Sequence, residues 1–199
     1  MELYQKYKEL NIDKSYINLE EGSETADYFC TPIGVKVIGW ENGIHYCFID
    51  GFGEMVFVVN PEGSVNENGD DLHVYPLAEN CEIFLKLILA CSCANHLEQI
   101  IRFTKDEFER FIKNDLSDDE NFRNQQQKVL NTIKNELSLT VLDNPFEYVK
   151  ALQKDFDYCS IQFTNEYYDT LGLERPDGTT ADDIQTDYDV VGFFIRNQA

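Results

Sequence analysis

Positive charge is what this sequence has least of: 16 lysines and arginines stand against 37 aspartates and glutamates, a formal net charge of −21 over 199 residues. Such a field repels nucleic acid and anionic membranes, speeds encounter with a basic partner, and keeps a protein soluble. No apolar stretch reaches the ~18 residues of a membrane span. The first residues, Met1-Glu-Leu-Tyr-Gln-Lys, lack the basic flank and apolar run of a secretory signal. A cytoplasmic protein without nucleic-acid or membrane partners is expected. Internal repeats and low-complexity tracts are also missing. Six cysteines are present, but four sit inside apolar strand or helix patterns, where a free thiol behaves as a small hydrophobe, so reduced cysteines are expected.

What the sequence does contain is a run of β-branched and aromatic residues punctuated by glycine between Gly34 and Pro61. It predicts an antiparallel meander with strands near 35–40, 44–50 and 55–60. Asn42-Gly43 is the sharpest turn signal, and Gly51-Phe-Gly-Glu54 a looser one. Alternation places Val35 and Val37 on one face and Lys36, Ile38 and Trp40 on the other, with Ile44, Tyr46 and Phe48 opposite His45, Cys47 and Ile49. Few of these positions are polar, so the sheet is either covered on both faces or covered on one and sticky on the other. Residues 62–71 read as an exposed acidic loop, and Leu72 to Tyr75 as a short edge strand ending before Pro76.

Helical spacing appears at Leu3, Tyr7 and Leu10, and again in the apolar stretch from Cys81 to Cys91, which Asn80 should cap and which should cover the sheet. Residues 94–101 continue helically after a break. Two capping boxes follow, Thr104-Lys-Asp-Glu107 and Ser117-Asp-Asp-Glu120, and Asn144-Pro145 opens a further helix. Residues 155–189 hold ten acids and one base, Arg175, together with too many aromatics for a disordered tail; an ordered acidic subdomain is expected.

Candidate chemistry is thin. Cys93 and His96 share a helix face at zinc-like spacing, but the C-x-x-C knuckle and a second ligand pair are missing. His45 and Cys47 share a strand face, and a thiolate–imidazole pair there would need unusual geometry. The acids near 177–189 do not follow the EF-hand pattern, and Gly51-Phe-Gly53 joins strands rather than opening a phosphate-binding helix. No catalytic residue, cofactor or metal is expected. Trp40 and Tyr46 would anchor an interface if the outer face is bare and would otherwise be core.

Pro32-Ile-Gly34, the hairpin through Trp40 and Asn42-Gly43, the Gly51-Phe-Gly53 turn, and Tyr75-Pro-Leu-Ala78 leading to Cys81 and Phe84-Leu85 together resemble the SUKH superfamily. That family includes the fungal cell-wall assembly regulator and many bacterial immunity proteins. Cys81 stands where an aromatic is common, and the N-terminal helix lacks a Leu-Pro entry. The resemblance implies an α+β protein that works by binding, its meander covered by helices in a domain expected over 1–115; beyond it, the helix signals and acidic composition predict a helical and acidic C-terminal subdomain over 116–199, packed on the first. It further implies an antidote to a toxin domain, commonly a nuclease, and a basic toxin suits the acidic charge independently. The partner-binding candidates are Trp40, Tyr46, Glu67, Asp70, Asp71, Asp182 and Asp183. A regulatory scaffold binding a cellular protein is the alternative, and a hydrolase or metal-dependent enzyme using His45 and Cys47 or Cys93 and His96 is a further one.

Overall fold

Asn42 and Gly43 both take positive φ, +45° and +87°, the combination with which a two-residue turn follows the twist of its flanking strands. The hairpin they close starts a four-stranded sheet. The computed structural model describes residues 2–66, 68–115 and 119–181. In chain order its elements are α1 (Glu2–Lys8), a 3₁₀ turn (Lys14–Ile17), β1 (Val35–Glu41), β2 (Ile44–Ile49), β3 (Val56–Val65), β4 (Asp71–Ala78), α2 (Cys81–Cys91), α3 (Ala94–Gln99), a second 3₁₀ turn (Ile100–Arg102), α4 (Lys105–Asn114), α5 (Glu120–Glu136), α6 (Pro145–Asp155), a third 3₁₀ turn (Tyr158–Ser160) and α7 (Asn165–Leu171). The strands lie in sequence order and all pairs are antiparallel. The fold is α+β.

Both faces of the sheet are covered. On one, Tyr46, Phe48, Val56, Val58, Tyr75 and Leu77 meet α1, α2, α3 and the apolar stripe Val129, Leu130 and Ile133 of α5 in a single core. On the other, Cys47, Ile49, Phe57, Val59 and Val74 are closed over by Cys30, Phe156, Ile161, Phe163 and Tyr167. Phe156, Phe163 and Tyr167 are therefore a lid on the second face. Tyr167 stacks on Phe163 at 3.9 Å and approaches Phe29 at 6.5 Å.

Several boundaries differ from the pattern reading, each for a local reason. In β1 the register slips between Val37 and Gly39, and this bulge moves Trp40 off the Lys36 face to sit opposite His45. Residues 62–65 belong to β3, and 60–63 form a second irregularity that the ladder absorbs before resuming at Ser64↔Leu72. β4 runs through Pro76 because it is an edge strand, where a missing N–H breaks no ladder bond. The cap of α5 is Asp119, whose carboxylate accepts from Asn121 and Phe122, while Ser117 lies outside the described residues. Asn144 precedes α6 in the left-handed region and makes no side-chain cap. The capping box at Thr104 and the Asn80 cap of α2 form as the sequence suggests.

Each sheet edge has a covering. Residues 20–24 run beside β1 as a strap: Glu20 and Trp40 exchange two backbone hydrogen bonds of 2.9 Å, and Val37 N–H donates to the Glu24 carbonyl at 2.9 Å. Along β4, the Gln153 side chain of α6 donates to the Pro76 carbonyl at 3.2 Å. No single helix among the described residues is long and apolar enough to cross a membrane.

Candidate functional site

Asn60 is the residue around which the β3–β4 hairpin is built. It is buried, its Oδ1 accepts from Glu62 N–H at 3.0 Å, and its Nδ2 donates to the Gly63 carbonyl at 3.1 Å and to Ser64 Oγ at 3.2 Å. Its carbonyl pairs with His73 Nδ1 at 3.0 Å. These bonds replace those the ladder loses at the irregularity.

Beneath it lies a charged anchor. Glu98 of α3 is fully buried; its Oε1 accepts from Tyr75 Oη at 2.7 Å, and its Oε2 from Gln99 at 2.6 Å. Arg102, one helical turn on, reaches Glu98 at 3.4 Å and donates to Ser64 Oγ at 2.9 Å. A buried carboxylate is tolerated when its lone pairs are filled in this way, and the network ties β3, β4 and α3 into one geometry.

Beyond the anchor the hairpin reaches solvent. Asn66 organises its tip, Oδ1 accepting from the N–H groups of Asn68 and Asp70, both at 2.9 Å. Glu62, Asp70 and Asp71 are exposed there beside Val65, which is 56% exposed. Asp70 is bonded by Asn66 Nδ2 at 3.0 Å. Among the described residues no lysine or arginine forms an ion pair with any of these three acids. A groove of about 260 Å³ separates this tip from Lys150, Lys154, Phe156 and Tyr158. Burial, with Asp70 nearby, pushes the Tyr158 hydroxyl up to about 12.

No family model matches the chain, and neither a curated protein nor a solved structure does.

The residues singled out on sequence scatter. Asp70 and Asp71 stand together on the hairpin tip. Glu67, Asp182 and Asp183 lie outside the described residues. Tyr46 is fully buried because its strand position faces the larger core, so it is core and not an exposed anchor; its hydroxyl donates to Glu41 at 3.0 Å. Trp40 is half-buried: its indole N–H donates to the Ser23 carbonyl at 2.8 Å and its ring lies 5.0 Å from that of His45.

The possible nucleophile pair is held neutral. Burial pushes the Cys47 thiol far up and lowers the His45 imidazole to about 4; neither His45 ring nitrogen has a hydrogen-bond partner among the described residues. Cys93 occupies the N-cap position of α3 without a side-chain cap bond, its thiol raised by burial to about 12, and His96 is buried between the Cys91 carbonyl and Asp115, 2.9 Å from the latter. No group of three or more His, Cys, Asp or Glu side chains among the described residues is placed to hold a metal ion. All six cysteines are free, and only Cys159 is exposed. Sequence reasoning missed the Asn60, Ser64, Glu98 and Arg102 anchor. The i,i+4 spacing of Glu98 and Arg102 was its one local sign.

Proposed function

We propose that this chain is a non-enzymatic protein-binding module of the immunity type, which holds a basic surface of a nuclease-like toxin domain with its β3–β4 hairpin. The observation that carries the reading is the hairpin itself: Glu62, Asp70 and Asp71 are exposed on it together with Val65, which faces Asp71 across the ladder, and no described lysine or arginine is paired to these acids. An exposed apolar residue on a hairpin that carries like charges suits an interface that excludes water at its centre and selects charge at its rim. The anchor under the tip supports the same reading, because a recognition loop already held in one conformation loses little entropy on binding. The resemblance to the SUKH superfamily points the same way from the sequence. The acidic field matters most for association, since nucleases present cations to phosphate and an acidic surface competes for them.

The test is direct binding between the full chain and the basic toxin domains encoded beside it, with the double variant Asp70→Lys, Asp71→Lys as control. The reversal should slow association at least tenfold with a smaller effect on dissociation. Equal rates for variant and parent would remove the hairpin from the interface; failure of every such domain to bind would remove the immunity reading.

A further inference from the structure

A cavity of about 90 Å³ lies between α1, the 20–24 strap and β1, outside the hairpin site. Lys14 is its deepest charge. The side chain is 6% exposed, its Nζ donates to the Lys8 carbonyl at 3.3 Å and to the Glu21 carboxylate, and it sits 5.4 Å from the centre of the Tyr7 ring. The Tyr7 hydroxyl is buried with no hydrogen-bond partner among the described residues. An ammonium drawn out of water requires a counter-ion. Here it comes from Glu21, which is 73% exposed and whose carboxyl Lys14 holds below the usual range.

The two partners differ in freedom. Lys14 is locked by its surroundings, while Glu21 can swing into solvent without unzipping the strap, which is held at Glu20, at Glu24 and by Trp40 on Ser23. Gly22 lies directly under the Trp40 indole, where a Cβ would come within 2.5 Å of the ring. The ends of the strap thus stay closed when the Glu21 side chain leaves. Lys8 is already matched by Glu24 at 2.6 Å, so departure of Glu21 uncovers one positive charge, and Glu24 disfavours a ligand with a second negative one.

We propose that this cavity binds a small aliphatic monocarboxylate, whose carboxylate replaces that of Glu21 on Lys14 and whose chain lies against Val37, Ile38 and Trp40. The volume, equal to about three waters at roughly 30 Å³ each in the liquid, limits the ligand to a short-chain acid. Glu21 is then an internal competitor, and removing its charge tightens binding.

The experiment titrates the full chain with butyrate, and with butyramide as the uncharged isostere, following amide chemical shifts. Butyrate should bind saturably with a Kd on the order of millimolar and butyramide at least tenfold more weakly. Glu21→Gln should bind butyrate at least threefold more tightly, and Lys14→Met should not bind it. Replacing buried Lys14 can unfold the chain, so exposed Glu21→Gln is the deciding variant. Butyramide binding as well as butyrate, an affinity unchanged or lowered in Glu21→Gln, or no saturable shift by ~50 mM would each overturn the proposal.

Discussion

Glu41 and His45 flank the Asn42-Gly43 turn, and both are buried. Burial raises the Glu41 carboxyl from 4.5 to about 7, against the lowering effect of the Tyr46 hydroxyl, and lowers the His45 imidazole from 6.5 to about 4. In the native state Glu41 keeps a proton that the unfolded chain releases, so its contribution to stability falls as pH rises from 4.5 to about 7. His45 refuses a proton that the unfolded chain takes, so its contribution falls as pH drops from 6.5 to about 4. Between about pH 4.5 and 6.5 the two effects cancel. Urea melts across that window should therefore show Glu41→Gln gaining stability with rising pH and His45→Phe losing it, relative to the parent, each by about 1 kcal/mol per pH unit. Parallel profiles for the three proteins would mean that neither group is held as described. The thiols give a second check: with all six free and only Cys159 exposed, a thiol reagent should modify one cysteine rapidly in the native protein and six after denaturation. The exposure of individual thiols was not legible from spacing alone, since it depends on which face of the sheet each element covers.

The meander was readable from sequence because its turn chemistry is local. Gly43 sits at φ +87°, and an added Cβ would meet only the Tyr28 hydroxyl, at an ordinary contact of 3.7 Å, so Gly43→Val should destabilise through backbone strain by about 1–3 kcal/mol, and superimposed urea melts of variant and parent would contradict the turn. The ends of β3 and β4 were not readable, because Pro61, Gly63 and Pro76 signal breaks in isolation. The broken ladder is instead repaired by contacts distant in sequence: Asn60 on His73, Ser64 on Arg102, and Gln153 on Pro76. The slip at Ile38 has the same character. No pattern in β1 announces it, yet it decides which face Trp40 joins. The acidic hairpin was visible as a composition, and its conversion from a loop into a pinned projection depended on Glu98, a residue with no distinguishing local pattern beyond its spacing to Arg102.

At the scale of the whole molecule, a net charge of −21 acts over about a Debye length, ~8 Å at physiological salt. Association with a basic partner should accordingly slow at least tenfold between ~50 and ~500 mM salt while dissociation changes less; a salt-independent association rate would assign the charge to solubility alone. The one base among residues 155–189, Arg175, is committed to a bidentate pair with Asp169 at 2.7 and 2.8 Å, so it leaves the field around it acidic. The covering of the sheet edges has a different consequence. An open strand margin is a template on which another chain can extend the ladder, the usual beginning of aggregation. With the 20–24 strap along β1 and Gln153 with Pro76 along β4, self-templating is blocked at both margins while the hairpin tip stays open, which leaves that tip as the place where a second chain can approach without adding a strand to the sheet.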